Sequence, residues 1–592
     1  MQVLNVTNYG AIGDAVQFFV NTVSNSVVVT TTNPLPNSAI GDAIELFGCG
    51  TVTTPPNCQD MVATITNIVN GTNIFVSQVC QQTLTNTFAT YGYNNTPSFQ
   101  SAITAVGKDT NDIFYIPSGT YLLLPVGFSN PNFGHASIFL NRGGINFVGA
   151  GTNSTTLLSQ GAWTLINKNP ARGVLAEVGS PITNNFPVSF SYLTMDGGVQ
   201  QGNTGNHGFP ASPINGGGWD VSHDAFIMAG SSAVSLNHLY FTNVLVQHWR
   251  GEEFKSVDGS TNGQIGIYNC TFADGNATAL NIYPAWDVRT NAFINLFQVA
   301  EYYQAYSSFP NYFEYNLCTN ITGNGFAING GKGSNPSFNI LNNTFYFSNN
   351  NGLETTPGDN ILISSNQFIG GGQVIVLGVP GYQGTFNNSN IVITANNFTN
   401  VGVVLELPAY PPNDATDIQF YKNNVTVNRS GLATGALLYT GYSSGVNYSS
   451  NVFTVTPTTQ AYFSQSILTN IPFIFIPTNN LYYGSLANVF QGTNALNYAG
   501  GCKYKLFTFA AGGFTLKLVD TDSNQIPAGA MILFDNENTS LIPVPVYLNS
   551  SMQGSPIVVS HGQTATFFWQ PWNNVWSTNN QPPPPTNFRQ NY

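Results

Sequence analysis

The sequence predicts an all-β protein whose main part is a parallel β-helix. Three observations lead to this class: the chain carries few charges, an Asn-centred motif recurs along it, and short alternating apolar and polar runs surround each motif. Only 7% of the 592 residues are charged, against roughly 25% in typical globular proteins. An aromatic fraction of 13% still provides for a large core, so a disordered chain and a charged coiled coil are both excluded.

The recurring motif is an Asn usually followed two residues later by a large apolar residue, at intervals of 21 to 30 residues. Alternating runs such as 361–368 and 391–398 indicate short, half-buried strands. A unit this short cannot enclose a core by itself, so the units must stack into a solenoid. We expect one edge of the stack to be lined by the motif asparagines, Asn243, Asn269, Asn295, Asn316, Asn343, Asn366, Asn396, Asn423 and Asn451.

The first part of the chain carries a second set of motifs, NVTNYGAIGDA (5–15), NNTPSFQSAI (94–103) and DIFYIPSGTYLL (112–123). In this order they resemble the opening of pectate-lyase-like right-handed β-helix proteins, a family of secreted polysaccharide-active enzymes and tailspike-like proteins. The resemblance covers about residues 1–460 and implies a right-handed, single-stranded parallel β-helix. Its motifs belong to the scaffold, so it indicates a fold and leaves the reaction open.

The domain boundaries follow from where these patterns begin and end. An insertion separates the first motif from the second and contains its own strand-like runs, and after about residue 455 the Asn motif stops. We expect the start of the β-helix at 1–14, an inserted small β module at 15–92, the parallel β-helix at 93–460, a connecting segment at 461–499, a C-terminal β-sandwich-like domain at 500–580 and a Pro-rich tail at 581–592.

Composition also limits the partners. The net charge of −12 and the lack of a Lys/Arg cluster exclude nucleic acid, and no apolar run is long enough for a membrane span. No signal-peptide pattern is visible, yet low charge with abundant Asn, Thr and Tyr is typical of secreted, extracellular proteins. Cys49 and Cys58 could form a disulfide. The sequence has no Cys-x-x-Cys pair, so we expect no structural metal site, and we expect no cofactor. The oligomeric state stays open.

Charge is so scarce that its clustering is informative, and the densest cluster is HWRGEEFKSVD (248–258). If Phe254 points inward on a strand, Glu253 and Lys255 point outward. Asp224 precedes Phe226 by two residues, as Glu252 precedes Phe254, so we expect Asp224 about one coil from Glu253. A carboxyl separation of about 5–5.5 Å suits a retaining glycosidase and about 6.5–9.5 Å an inverting one.

Asp224 and Glu253 are therefore the first-choice catalytic pair, with Glu301 and Glu354 as substitutes. Lys255 and Arg250 would tune the ionisation of these acids. Asp196, followed by two glycines, is interpreted as a turn residue. Because sugar rings stack on aromatic faces, Trp219, Tyr283 and Tyr303 are expected to bind the substrate. The other expected substrate-binding residues are polar, His223, His248, Arg250 and Lys255.

Three functional classes agree with these patterns. The first is a glycoside hydrolase that cleaves a neutral polysaccharide or oligosaccharide with a pair of carboxylates on the outer face of the β-helix. The second is a polysaccharide lyase, which needs cations to hold a uronate carboxylate. The scarcity of Lys and Arg, 14 in all, disfavours it. The third is a non-catalytic adhesin or tailspike-type fibre.

Overall fold

The structure, a computed structural model, describes residues 2–50, 52–54, 57–58, 61–106, 111–124, 129–130, 134–140, 143–159, 174–178, 187–198, 224–229, 236–249, 251–257, 263–275, 277–282, 285–303, 310–329, 337–347, 352–355, 358–377, 388–407, 415–427, 436–440, 446–449, 451–455, 462–465, 481–484, 493–496, 503–506, 515–518, 531–536, 543–549, 551, 553–570 and 575–578. The chain divides into two compact units. One comprises Met1–Gly331 with Asn335–Phe338, and the other comprises Lys332–Ser334 with Asn339–Tyr592.

The first unit begins with β1 (Val3–Asn5) and a 3-10 turn, Val6–Tyr9, and then enters a small antiparallel barrel. The barrel closes in the order β2-β3-β8-β7-β4-β9, and a second 3-10 turn lies at Asn37–Ala39. Its strands, with a separate two-stranded pair formed by β5 and β6, are β2 (Val16–Thr22), β3 (Ser26–Thr31), β4 (Ala43–Leu46), β5 (Val52–Thr54), β6 (Asn57–Cys58), β7 (Met61–Val69), β8 (Asn73–Cys80) and β9 (Leu84–Gly92).

The two ends of the barrel segment lie side by side. The backbone N–H of Tyr93 donates to Asp14 Oδ1 over 3.0 Å, and the Asn95 side chain bonds both the N–H and the carbonyl of Ile12. The chain leaves and rejoins the β-helix at one place, which suits a barrel inserted into a pre-existing scaffold. Helix α1 (Thr96–Ala105) follows and packs Phe99 on Phe114 and Tyr121, with ring centroids 5.5 and 5.8 Å apart.

Parallel strands then build the coils of the first unit. From β21 onward each coil contributes three strands, two to one sheet and one to another. The strands are β10 (Asp112–Ile116), β11 (Gly119–Leu123), β12 (Ser129–Asn130), β13 (Gly134–Leu140), β14 (Ile145–Gly149), β15 (Thr155–Ser159), β16 (Val174–Val178), β17 (Val188–Asp196), β18 (Phe226–Ala229), β19 (Leu236–Gln247), β20 (Phe254–Val257), β21 (Gly263–Tyr268), β22 (Thr271–Ala273), β23 (Thr278–Ile282), β24 (Ala285–Arg289), β25 (Ala292–Ile294), β26 (Gln298–Tyr303), β27 (Asn311–Glu314), β28 (Leu317–Ile321) and β29 (Phe326–Asn329).

The second unit continues the three-strand pattern by itself. β30 (Phe338–Leu341) falls on the boundary, and the remaining strands are β31 (Thr344–Phe347), β32 (Leu353–Thr355), β33 (Asp359–Ser364), β34 (Gln367–Gly370), β35 (Gln373–Leu377), β36 (Asn388–Thr394), β37 (Asn397–Thr399), β38 (Val403–Leu407), β39 (Ala415–Tyr421), β40 (Asn424–Val427), β41 (Ala436–Thr440), β42 (Val446–Ser449), β43 (Val452–Val455), β44 (Tyr462–Gln465), β45 (Leu481–Gly484), β46 (Thr493–Leu496), β47 (Lys503–Leu506), β48 (Thr515–Leu518), β49 (Met531–Asn536), β50 (Val544–Tyr547), β51 (Ile557–Val559), β52 (Gln563–Gln570) and β53 (Val575–Ser577).

The strand order confirms the predicted class, an all-β, right-handed parallel β-helix. Pairing stays parallel through β47 and β49 and becomes antiparallel at β49–β52, β52–β53 and β50–β51. The predicted C-terminal region therefore combines parallel strands with antiparallel hairpins. None of the helices in the described part of the chain is long and apolar enough to cross a membrane.

Like residues stack inside the coils. Phe147, Phe190 and Phe241 lie one above another in the first unit, with ring centroids 4.5 and 5.3 Å apart. In the second unit the rings of Phe345, Phe368 and Phe398 stack at 5.1 and 5.0 Å. Burial of these rings is the main hydrophobic contribution to coil stacking.

A buried asparagine ladder runs along one corner of the second unit. Asn343, Asn366, Asn396, Asn423 and Asn451 follow one another, and each Oδ1 from Asn366 onward accepts from the backbone N–H and side-chain amide of the preceding member. Each Nδ2 from Asn366 onward also donates to a backbone carbonyl. The ladder thereby pairs buried polar groups that would otherwise be costly.

The predicted edge is correct for Asn316 within the first unit and for Asn343 and the later motif residues within the second, but wrong for Asn243, Asn269 and Asn295. In the first unit Asn291 bonds Asn316 in the ladder pattern. Asn243 and Asn269 sit at a left-handed backbone position, as does Asn295. Cys270, one residue after Asn269, holds the ladder place, because its N–H donates to Asn291 Oδ1. Asn295 belongs to another corner, where it bonds Asp274 and Asn320.

Replacing Asn396 by Ala should lower the free energy of unfolding by about 3 kcal/mol, because several buried partners lose a hydrogen bond and each costs about 1–3 kcal/mol. Urea unfolding followed by circular dichroism measures the change. The matched control is Asn397→Ala at the next residue, whose exposed side chain accepts only from Asn424 among the bonds described. We expect it to change stability by less than about 0.5 kcal/mol. Equal losses in both variants would contradict a structural role for the ladder.

Candidate active site

Three buried carboxyl groups lie where β18 and β20 begin. Phe226 pairs with Phe254 across neighbouring coils, so Asp224 and Glu252, each two residues earlier, occupy equivalent places about 4.8 Å apart along the stack. Asp224, Glu252 and Glu253 are 0%, 1% and 1% exposed. Carboxyl groups are almost never buried this completely in proteins unless they are paired. The predicted proximity of Asp224 to the Glu252–Glu253 pair therefore agrees with the register.

Glu253 does not point outward as predicted. It precedes the first residue of β20, so the inward–outward alternation of a strand does not apply to it. Its carboxyl is buried against Gly275 of the next coil, where a Cβ would lie 2.4 Å from Glu253 Oε1. Neither carboxyl oxygen has a hydrogen-bond partner among the described residues. Burial first, and the charge of Asp274 second, raise the pKa of Glu253 well above its usual value.

Glu252 is held in a different way. Lys255 Nζ forms an ion pair with Glu252 Oε2, and Asn281 Nδ2 donates to Glu252 Oε1. Lys255 and Asn281 are paired across neighbouring coils, and Asn281 pairs with Glu301 one coil further on. Lys255 keeps 23% of its side chain exposed, which agrees with the outward direction predicted for it. The site thus contains one carboxylate, Glu252, whose charge is balanced by Lys255, directly beside Glu253, whose carboxyl has no hydrogen-bond partner among the described residues.

His248 joins two acids at an adjacent corner. Its Nδ1 lies 2.9 Å from Asp196 Oδ1, and its Nε2 lies 4.0 Å from Asp274 Oδ2. Burial acts to lower the pKa of His248, but its hydrogen bond to Asp196 and the charges of Asp196 and Asp274 outweigh burial and raise it. The raised pKa favours an imidazolium that Asp196 orients. Asp274 faces both this imidazole and Glu253, and Asn295 Nδ2 donates to it over 2.9 Å.

Asp196 does have the predicted turn role, because its Oδ1 accepts from the N–H of Gly198 over 2.7 Å. It also accepts from Gln247 Nε2 and bonds His248, a contact that a turn interpretation misses. Sequence reasoning also missed Asp274, Gly275 and Asn281. All three sit one coil after the 248–258 cluster, so counting one coil forward from each cluster residue would have found them.

The other predicted residues have varied positions. Glu301 is half-buried in the column of Lys255. Glu354 lies in the second unit, 8% exposed, in one register column with Glu406. Four predicted residues lie outside the described part of the chain, Trp219, His223, Arg250 and Tyr283. The side chain of Tyr303 lies outside it as well.

A charged and aromatic network covers the outer face of β21, β24 and β27. Tyr268 donates to Asp287 Oδ2 over 2.6 Å, and Arg289 pairs with Asp287 and, at 3.3 Å, with Glu314. The guanidinium of Arg289 also lies 5.0 Å from the ring centre of Tyr312. These groups satisfy one another, which favours a structural role for the network. Within the described ranges, no three His, Cys, Asp or Glu side chains are placed to hold one metal ion.

Fold and site together describe a parallel β-helix protein with a buried carboxyl cluster at one coil edge. A scan against protein-family models gives no match, and a search of curated proteins gives none. Similar solved structures include the mannuronan C-5 epimerase AlgE6 A-module of Azotobacter vinelandii, with 14% identity, a TM-score of 0.40, and coverage of 66% of this chain and 95% of that one.

Two further solved structures are similar. PfbA, a surface adhesin of Streptococcus pneumoniae, is 14% identical with a TM-score of 0.32, covering 82% of this chain and 96% of that one. The tailspike of E. coli bacteriophage HK620, solved with a pentasaccharide, is 13% identical with a TM-score of 0.33. The match covers 77% of this chain and 75% of the tailspike chain. At these TM-scores the similarity says nothing about the reaction or ligand of this chain.

The raised pKa of Glu253 predicts a pH dependence of stability. The folded protein holds a proton that the unfolded chain releases above the ordinary pKa of 4.5. Glu253 therefore stabilises the fold fully below that pH, and its contribution is lost as pH rises toward the folded pKa, by up to about 1.4 kcal/mol per pH unit.

Glu253→Gln should remove this slope, while Asp417→Asn, at an exposed position, should keep it. Urea unfolding of the three proteins between about pH 4.5 and pH 7 measures it. If the wild type and Glu253→Gln lose stability in parallel as pH rises, Glu253 is not held neutral in the fold.

Proposed function

We propose that the chain is a secreted glycoside hydrolase that acts on a neutral polysaccharide or oligosaccharide, with Glu253 as general acid and Asp224 as the partner carboxylate. The observation that carries this proposal is the fully buried carboxyl of Glu253, whose pKa is raised by that burial, beside a second buried carboxyl one coil away. Glycoside hydrolysis uses two carboxyl groups whose environments push their pKa values apart.

The general-acid role follows from the environment of Glu253. A carboxylic acid must still carry its proton near neutral pH to protonate a leaving oxygen. Burial and the nearby charge of Asp274 raise the pKa of Glu253 well above its usual value, which favours the protonated form. The bond from Asn295 to Asp274 holds that charge in place, so Asp274 acts as a positioning residue in this proposal.

The cations of the site favour a neutral substrate over a uronate. A lyase needs free positive charge to hold the substrate carboxylate. Here Lys255 is paired with Glu252, and His248 lies between Asp196 and Asp274. The chain also has a net charge of −12. A polysaccharide lyase therefore remains the second candidate only through Arg250, which lies outside the described residues.

A purely structural fibre gives no reason for the carboxyl cluster. Burying a carboxyl without a hydrogen-bond partner costs free energy that an apolar side chain would not. A fibre gains nothing from Glu253 that Gln or Leu would not provide. The presence of such a group in a chain with 7% charge supports catalysis.

On a polysaccharide that the wild type cleaves, Glu253→Gln and Asp224→Asn should each lower kcat by about 10²–10⁴-fold, because each removes positioned proton transfer. Release of reducing ends measures the rate, and Asp417→Asn serves as the exposed control. Ultraviolet absorbance from an unsaturated product would identify a lyase instead. Near-full activity in both variants would contradict the assignment of Asp224 and Glu253 as the catalytic pair. The variants Glu301→Gln and Glu354→Gln would then test the two substitute residues. Failure of the wild type to cleave any member of a broad panel would favour the fibre.

Gly275→Ala should also reduce activity, by about 10-fold or more, because its Cβ would displace the carboxyl of Glu253. The methyl group would also meet Leu296 Cδ2 at 3.0 Å. A double-mutant cycle with Glu253→Gln separates the two effects. If Gly275 acts by positioning Glu253, the added methyl costs little further activity in the Gln background. An equal loss in both backgrounds would show that Gly275 acts through something else.

A further inference from the structure

Two cysteines meet in the core of the N-terminal barrel, far from each other in sequence. Cys49 lies in the turn after β4, and Cys80 is the last residue of β8. Both are 0% exposed and belong to one hydrophobic cluster with Val29, Leu46 and Ile74. The barrel thus encloses both thiols in the same apolar interior.

Backbone hydrogen bonds hold the two residues side by side. The N–H of Gln81 donates to the carbonyl of Cys49 over 2.9 Å, and the N–H of Asn25 donates to the carbonyl of Cys80 over 2.8 Å. Cys80 directly precedes Gln81, so the first of these bonds brings the backbone of Cys80 beside that of Cys49, as a disulfide between Cα atoms about 4.4–6.8 Å apart requires.

The thiols also affect each other's ionisation. The Cys80 thiol, as a hydrogen-bond donor, is the largest cause that lowers the pKa of Cys49, and with Thr22 it outweighs burial and brings that pKa to about 7. The same contact raises the pKa of Cys80. In the folded barrel the two thiols therefore lie within hydrogen-bonding reach of each other.

We propose that Cys49 and Cys80 are joined by a disulfide when the protein folds in an oxidising compartment. The oxidant is a small disulfide such as oxidised glutathione. The Cys49 thiolate attacks one sulfur and releases one glutathione thiolate. Cys80, after losing its proton to solvent, attacks the Cys49 sulfur of the mixed disulfide and releases the second. Two electrons pass to the oxidant, and one protein S–S bond forms. Because both thiols are buried in the finished barrel, the exchange occurs during folding.

This pairing differs from the one that sequence proximity suggests, Cys49 with Cys58. Cys58 lies in β6, whose backbone pairs with Val52 of β5. A Cys49–Cys80 bond instead links the turn after β4 to the end of β8 across a span of 31 residues. It would stabilise the barrel chiefly by restricting its unfolded state. The inference is independent of the proposed hydrolase activity.

Differential alkylation and peptide mapping test the pairing. The full chain, folded with oxidised and reduced glutathione, is denatured and alkylated with one reagent, then reduced and alkylated with a second. Cys49 and Cys80 should carry the second label, and non-reduced digests should contain their linked peptides. Cys270 and Cys318, buried in the β-helix, are internal controls that should carry the first label. A first label on Cys49 or Cys80, or a Cys49–Cys58 link, would overturn the proposal.

A thermal measurement adds a second readout. Reductant should lower the Tm of the wild-type barrel transition by about 5 °C or more. The same reductant should leave the Tm of Cys49→Ser and Cys80→Ser unchanged, while Cys270→Ser should respond like the wild type. Equal Tm values for the wild type with and without reductant would contradict a stabilising bond. The label map on the wild type stands even if a Ser variant fails to fold.

Discussion

Among the described strands of each unit, the coils of the β-helix pair with the coils directly before and after them. A polar group that turns into the interior can therefore find a partner one coil away, about 4.8 Å along the stack. The asparagine ladder meets this requirement at one corner, since each amide both donates to and accepts from its neighbours. Asn281 meets it from the next coil by donating to Glu252, while Lys255 pairs with Glu252 within one coil. The strict register that results also fixes which functional side chains can meet.

Neither carboxyl oxygen of Glu253 has such a partner among the described residues. The residue that would cover it, Gly275, has no side chain, and the charge of Asp274 opposes its ionisation. A buried acid without a hydrogen-bond partner reduces stability wherever it must ionise. The compensated pair one residue earlier shows that the scaffold can neutralise a carboxylate at this depth. The contrast between Glu252 and Glu253 is therefore the feature on which the proposed catalytic role of Glu253 rests.

Sequence patterns predict the features that recur from coil to coil, but they miss side-chain contacts that depend on the conformation of a single turn. Stacked coils, the inserted module and the equivalence of Asp224 with Glu252 all follow from residues recurring at matched positions. Asn295 was misplaced because two corners of the coil both use left-handed backbone, and Asn suits either. The direction of Glu253 was wrong because it lies in the turn before β20, where alternation has no meaning. Gly275 and Cys80 were missed because their partners come from other coils or strands, at distances that loop lengths decide.

The nearest-neighbour bonding of the second unit has a mechanical consequence. Asn423 is tied to Asn396 on one side and Asn451 on the other, with no bond that skips a coil. A chain pulled from its end would then lose coils one after another, each release breaking one ladder contact and one set of strand bonds. The force record of such an experiment would show a series of similar small steps in place of a single large rupture.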